Sequence, residues 1–241
     1  ASSLVGSEMC IRDRIYRLPN PDASINILSP RSFCPTCKTQ LSLFQLVPFF
    51  GYLAHKGKCS KCSKQINGSY LLNEIFAAAL LIYLINLLGP VNPMTWLIFS
   101  IAMILYVQAL MDLKTLLLSQ PLSCLLIVIG LVANIGFEIF AVPLNALLGL
   151  VFGYGLLFSI NQLYKMLKSQ DGIGSGDFLL LSGIGSILGA SAIGPILLLG
   201  SSLTICIHVV SKDPQTKELP LGFGLGFGAI LYLLMLITLM Q

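Results

Sequence analysis

Two aspartates stand out from the apolar sequence around them. Asp112 lies in Ala109-Leu110-Met111-Asp112-Leu113-Lys114-Thr115, and Asp177 in Gly172-Ile173-Gly174-Ser175-Gly176-Asp177-Phe178. Ionisable groups at the edge of long apolar runs are costly, and each one calls for a function. Brought together, two carboxylates share one proton, because their mutual repulsion keeps both from ionising. The ionised member can take a proton from water, and the protonated member can donate to a scissile carbonyl oxygen. That is aspartic protease chemistry. Gly174 and Gly176 would form the loop that carries Asp177, letting the backbone approach closely and take conformations that side chains forbid.

Each acid also has a plainer reading. Asp112 can be an end-of-span charge paired with Lys114, and Asp177 can cap the N-terminus of its own helix. Residues 172–176 can be a simple loop. A phosphate cradle is excluded, because no strand precedes it and an apolar span follows. A transporter could use the two acids as a proton relay, but such groups usually lie near the midplane, often with repeat symmetry. Here both fall at one edge and no repeat is visible. Glu74 is expected at the same face and Glu138 at the opposite one.

Four cysteines form a second cluster. Cys34-Pro35-Thr36-Cys37 and Cys59-Ser60-Lys61-Cys62 are two C-x-x-C knuckles spaced as in a zinc ribbon. Each turn brings two thiolates to one ion, and two turns complete a tetrahedral shell. Lys38, Lys58, Lys61 and Lys64 would offset the charge of a four-thiolate site. The other reading is two redox pairs or four unrelated thiols. His55 between the knuckles is read as a surface residue, and Cys124 and Cys206 as small packing residues inside spans.

The elements that must hold these groups follow from composition. Of 241 residues, 56% are apolar and 10% charged, against about a quarter charged in soluble domains. Residues 71–89, 93–111, 119–138, 142–164 and 222–240 each approach the roughly 20 apolar residues that a spanning helix needs. Residues 178–211 are read as two short spans that break near 190–195. The expectation is an all-α polytopic membrane protein of about seven transmembrane helices. Residues 15–69 form a small zinc-ribbon-like insert, whose size suits a metal staple, and residues 70–241 form the membrane domain. Residues 1–14 read as neither signal peptide nor span and are set apart as a non-native or truncated N-terminus. Glycine pairs at 149/153, 185/189, 222/226 and 224/228 have the spacing of close helix contacts.

Charge sets the orientation. Within residues 15–69, Arg17, Arg31, Lys38, Lys56, Lys58, Lys61 and Lys64 stand against the single acid Asp22. With that segment cytoplasmic, the inside loops hold Lys114, then Lys165 and Lys168, then Lys212 and Lys217, and the outside loops hold no Lys or Arg. Both aspartates then fall at the cytoplasmic face. Nucleic acid is set aside as a partner: binding would need base-stacking aromatics and a basic face, and there is only one span-flanking basic loop.

Gly174-Ser175-Gly176-Asp177 is a G-x-G-D motif, and the chain resembles the bacterial prepilin leader peptidases. The likeness runs from Ile15-Tyr16-Arg17-Leu18-Pro19 through the two cysteine knuckles, Pro48-Phe49-Phe50-Gly51-Tyr52-Leu53, Tyr70 and Glu74 to Leu219-Pro220-Leu221-Gly222. The resemblance implies a multi-pass inner-membrane endopeptidase with Asp112 and Asp177 as its catalytic pair. It would remove the leader of type IV prepilins or pseudopilins on the cytoplasmic side. It also implies that the new N-terminus is methylated from S-adenosylmethionine, and that Cys34, Cys37, Cys59 and Cys62 bind zinc. A non-catalytic assembly protein that docks through the zinc loop is the rival within this setting. The sequence departs from the family pattern in having no first span, with residues 1–14 in its place. Leu179 stands where lysine is frequent, and Leu221 and Phe223 stand where phenylalanine and proline are usual.

Overall fold

A computed structural model describes residues 37, 58, 61, 62, 69–211 and 219–239. Most of the 15–69 insert therefore lies outside the described residues, as do residues 1–14, His55 and two of the expected zinc ligands, Cys34 and Cys59. Among the described residues the elements are seven α-helices: α1 (Ser69–Leu88), α2 (Pro93–Thr115), α3 (Gln120–Phe137), α4 (Pro143–Lys168), α5 (Ser175–Leu188), α6 (Ala190–Ser211) and α7 (Leu221–Leu239). The chain divides into two compact units, Ala1–Phe99 and Ser100–Gln241, with the boundary inside α2.

In the first unit, Gly89 takes a left-handed φ of 88° and ends α1. The Asn92 side chain then accepts the Met94 N–H at 3.0 Å, with Pro93 at the first helical position, where its missing N–H is harmless. Thr95 Oγ1 donates to the Gly89 carbonyl at 2.7 Å and closes the turn.

The second unit is built round α5. This helix packs against α3, α4, α6 and α7, and every residue from Leu180 to Leu188 is buried. A helix apolar on all sides belongs inside a bundle. Its neighbours come close because they present small residues. A Cβ on Gly149 of α4 would collide with the Gly185 carbonyl, and one on Gly153 would lie 2.6 Å from the Leu181 carbonyl oxygen. Gly224 of α7 meets Gly200 and Thr204 of α6, and Gly226 meets Leu105 and Ala109 of α2. The glycine pairs expected from sequence thus lie in close helix contacts.

One expectation is met in part and one changes. Among the described residues six helices are long and apolar enough to cross a membrane, which makes the chain a multi-pass membrane protein. The seventh, α5, has 14 residues. At 1.5 Å per residue it reaches about 21 Å, short of the ~30 Å hydrocarbon core. Seven spans are met in part: α5 is short, yet it runs beside α4 through the Leu181–Gly153 and Gly185–Gly149 contacts and ends at Asn145, at the end of the bundle opposite the aspartates. The break in residues 178–211 falls at Gly189, not across 190–195, which are helical. Gly189 has φ 83°, and Asn145 of α4 fills the space beside it and accepts the Ala190 N–H at 3.1 Å. Pro195 lies inside α6 as its sixth residue, where it removes one helix hydrogen bond.

The carbonyls at the C-terminal end of α5 need partners in so apolar a setting. Asn134 of α3 supplies them. Its Nδ2 donates to Ser186 O and Ile187 O, both at 2.8 Å, while its Oδ1 accepts the N–H groups of Phe140 and Ala141. Cys124 and Cys206 are exposed on the outer helix faces, so they do not pack inside the bundle as expected.

A paired measurement checks the close packing. Gly149→Ala should lower the unfolding temperature in detergent by several degrees, since overpacking costs about 1–3 kcal/mol. Gly155→Ala, on the same helix with open space beside it, should be neutral or stabilising. Equal unfolding temperatures for both variants would contradict the packing described.

Candidate active site

The second unit brings Asp112 and Asp177 together at one end of the bundle. The C-terminal turn of α2 and the N-terminal turns of α5 and α7 meet there. Asp112 is 5% exposed and Asp177 9%, and they are close enough for their charges to act on one another. Leu118 joins the two sides. A Cβ on Gly176, beside Asp177, would lie 2.8 Å from Leu118 Cβ. One on Gly222 would lie 2.9 Å from Leu118 Cδ1 and 3.1 Å from Asp112 Cγ.

The turn that aims Leu118 is unusual. Leu116 follows α2 with φ 53°, and its N–H donates to the Asp112 carbonyl at 2.9 Å. This is a left-handed helix stop, normally a glycine position. A non-glycine residue held there costs on the order of 1–3 kcal/mol, and such strain tends to cluster at active sites.

The two carboxylates differ in their partners. Asp112 Oδ2 accepts the Phe223 N–H at 2.8 Å, and the Gly222 N–H lies against the same carboxylate. Both donors belong to the first turn of α7, whose N–H groups have no partner within their helix. Asp112 therefore caps α7 from across the bundle. Asp177 is the third residue of α5, and its carboxylate turns back toward the Gly174 N–H. Its Oδ1 is buried with no hydrogen-bond partner. Self-capping thus accounts for part of the Asp177 carboxylate and leaves one oxygen unassigned.

Aromatic rings wall the site. Phe178, next to Asp177, packs edge-on against Tyr154 and Phe158 of α4. Phe223 packs against Phe227 at 4.7 Å with the rings tilted, and Phe227 meets Tyr106 of α2 edge-on.

Gly174 and Gly176 act through space and not through conformation. Among the described glycines only Gly89 and Gly189 have positive φ, so the expected unusual backbone at this loop is not found. Close approach is: a Cβ on Gly174 would stand 3.3 Å from Asp177 Oδ2. Sequence reasoning missed Leu118 and read Gly222 as packing alone. No residue pattern marks Leu118, and only the partner of Asp112 identifies Gly222. Glu138 is exposed beyond the opposite end of α3, and Glu74 belongs to α1 in the other unit. Among the described residues no group of three or more His, Cys, Asp or Glu could hold a metal, and Cys37 and Cys62 are half-buried.

Residues 97–210, which contain both aspartates, match the model of the type IV leader peptidase family. Residues 2–87 match the bacterial peptidase A24 N-terminal domain. The chain belongs to the type IV leader peptidase family. Similar proteins include the prepilin leader peptidase/N-methyltransferase of Pseudomonas aeruginosa, 36% identical over 88% of this chain and 74% of that protein. The protein of that name from Aeromonas salmonicida is 32% identical over 85% of this chain and 71% of that protein. No solved structure matches the chain.

Alanine at the three glycines should rank this peptidase's activity by available space. Gly176→Ala presses on the rigid Cβ of Leu118 and should lower turnover at least about tenfold. Gly222→Ala should lower it by less, since the Leu118 terminus can shift, and Gly174→Ala least. Turnover assays with unfolding temperatures as controls check the order; a Gly176→Ala enzyme as fast as the parent would refute it.

Proposed function

We propose that this peptidase cuts the basic leader from type IV prepilins or pseudopilins at the cytoplasmic face of the bacterial inner membrane, with Asp112 and Asp177 as its catalytic pair. The observation that carries the reading is the unequal setting of two adjacent buried carboxylates. Asp112, held by N–H donors from α7, is the ionised member. Asp177, whose Oδ1 faces no donor, keeps the shared proton, because a protonated carboxyl needs no donor. The ionised Asp112 takes a proton from water, and the resulting hydroxide attacks the scissile carbonyl carbon. Asp177 gives its proton to the carbonyl oxygen. The tetrahedral species collapses as the leaving amine takes up a proton and the C–N bond breaks.

The positions of the acids support a peptidase over a proton relay. Both lie at one end of the bundle, not near the midplane where relays usually sit. Lys114, Lys165 and Lys168 close helices at that same end, which favours a cytoplasmic face. A prepilin, itself an apolar helix with a basic leader, would enter the bundle from the side and offer its cleavage site at the membrane edge.

The printed names of the relatives include an N-methyltransferase. We extend that activity to this chain: S-adenosylmethionine would supply the methyl group for the new N-terminal amine. Cys34, Cys37, Cys59 and Cys62 would hold a structural zinc, four thiolates being a suitable donor set.

Asp112→Asn and Asp177→Asn should each reduce prepilin cleavage by at least about 100-fold, the scale of losing a general acid or base, with normal membrane insertion. Full cleavage by either variant would end the two-carboxylate reading. Cys34→Ser should lower the zinc content of the purified protein, and elemental analysis finding no zinc in the parent chain would reject the metal site.

A further inference from the structure

The segment that delivers Asp177 is held down by a group of side chains outside the aspartate pair. At the end of α4, Ser169 takes a φ of 54° and its N–H donates to the Lys165 carbonyl at 2.8 Å. The chain reverses there and runs back along the last two turns of the helix. Asn161 is 6% exposed. Its Oδ1 accepts the Gly172 N–H at 2.8 Å and the Ile173 N–H at 3.0 Å. Its Nδ2 donates to Asp171 Oδ1 at 3.1 Å. Lys165 Nζ binds the other oxygen of Asp171 at 3.1 Å, and a Cβ on Gly172 would press on the Tyr164 ring at 2.7 Å. Asn161, Tyr164 and Lys165 are spaced i, i+3, i+4, so they share one face of α4.

The contacts are unequal in weight. The Lys165–Asp171 pair is more than half exposed on both sides, and such pairs add little. The Lys165 ammonium and the Asn161 amide nevertheless hold the Asp171 carboxyl below the ordinary carboxylate range, so it stays an acceptor at neutral pH. Asn161 is buried and uses its oxygen on two backbone donors that would otherwise lack partners. These donors belong to the two residues just before Gly174, the N-cap of α5. Asp177 follows three positions later. The glycine contacts fix α5 against α4 along its length, while Asn161 fixes how the chain enters it.

We infer that Asn161, through its bonds to Asp171, Gly172 and Ile173, is a positioning residue that sets the placement of the Asp177 carboxyl opposite Asp112. The inference rests on the reading of these aspartates as the peptidase pair. Its test combines turnover of a purified prepilin with amide hydrogen exchange on the full chain in detergent. Asn161→Ala should lower kcat at least about tenfold while KM stays within about twofold, and should speed exchange at Gly172 and Ile173 about tenfold or more. Asn161→Asp alone, which sets a second carboxylate beside Asp171, should be similarly slow. Adding Asp171→Asn exchanges donor for acceptor and should bring kcat back to within about threefold of the parent. An Asn161→Ala enzyme with the parent kcat, or a double variant no faster than Asn161→Asp, overturns the inference. Should the parent fail to cut the prepilin, the exchange data still decide. Faster exchange in Asn161→Ala upholds the clasp and leaves the fault with the substrate reading; unchanged exchange overturns it.

Discussion

A carboxylate enclosed among apolar side chains must find donors or hold a proton, and much of this bundle follows from how Asp112 meets that demand. Its donors come from the first turn of α7, more than a hundred residues along the chain. Hydrogen bonds to a charged group contribute about 1.5–3 kcal/mol, and these also satisfy helix-end N–H groups that would otherwise have no partner. One contact thus solves two burial problems and pins the start of α7 against the end of α2. Gly222 is required at that point because a side chain would occupy the space of the carboxylate carbon and of Leu118. The aromatic step from Phe223 through Phe227 to Tyr106 extends the same helix pairing away from the charge.

The second aspartate is held by different means. Helix α5 is short and is packed against four other helices, so its own ends must be satisfied by protein. Asn134 does this at the C-terminal end and Gly189 provides the turn into α6. At the N-terminal end the Asp177 carboxyl points back toward its own helix start. Small residues on α4 and α5 let the backbones touch, which fixes the height and rotation of α5 with little side-chain freedom. Packing that close moves in steps and not continuously, so the two carboxyls are presented in a fixed relation.

Much of this was legible in the sequence because membrane segments obey few rules. Apolar length, loop charge and the rarity of acids located the helices and singled out Asp112 and Asp177. Composition alone could not say that α5 is enclosed by other helices, because an enclosed apolar helix and a lipid-facing one look alike in sequence. Gly189 gave no stronger cue than its neighbours Ala190 and Pro195, and the real break depends on Asn145 reaching across from α4. Leu118, Gly222 and Asn161 were invisible for a related reason. Leucine, glycine and asparagine are common residues, and what sets these apart is a partner far along the chain.

Phe223 ties the buried charge of Asp112 to the aromatic wall beside it. Proline in that place would have no N–H, and the 2.8 Å bond to Asp112 Oδ2 could not form. The Phe223 N–H is a donor on the carboxylate read as the ionised member, at the third position of α7, where an N–H is free to point outward. The neighbouring Gly222 N–H alone would leave the α7 start held less firmly to α2. Phenylalanine also brings a ring that packs against Phe227. The same position therefore bears both on the charge of Asp112 and on the aromatic packing next to it.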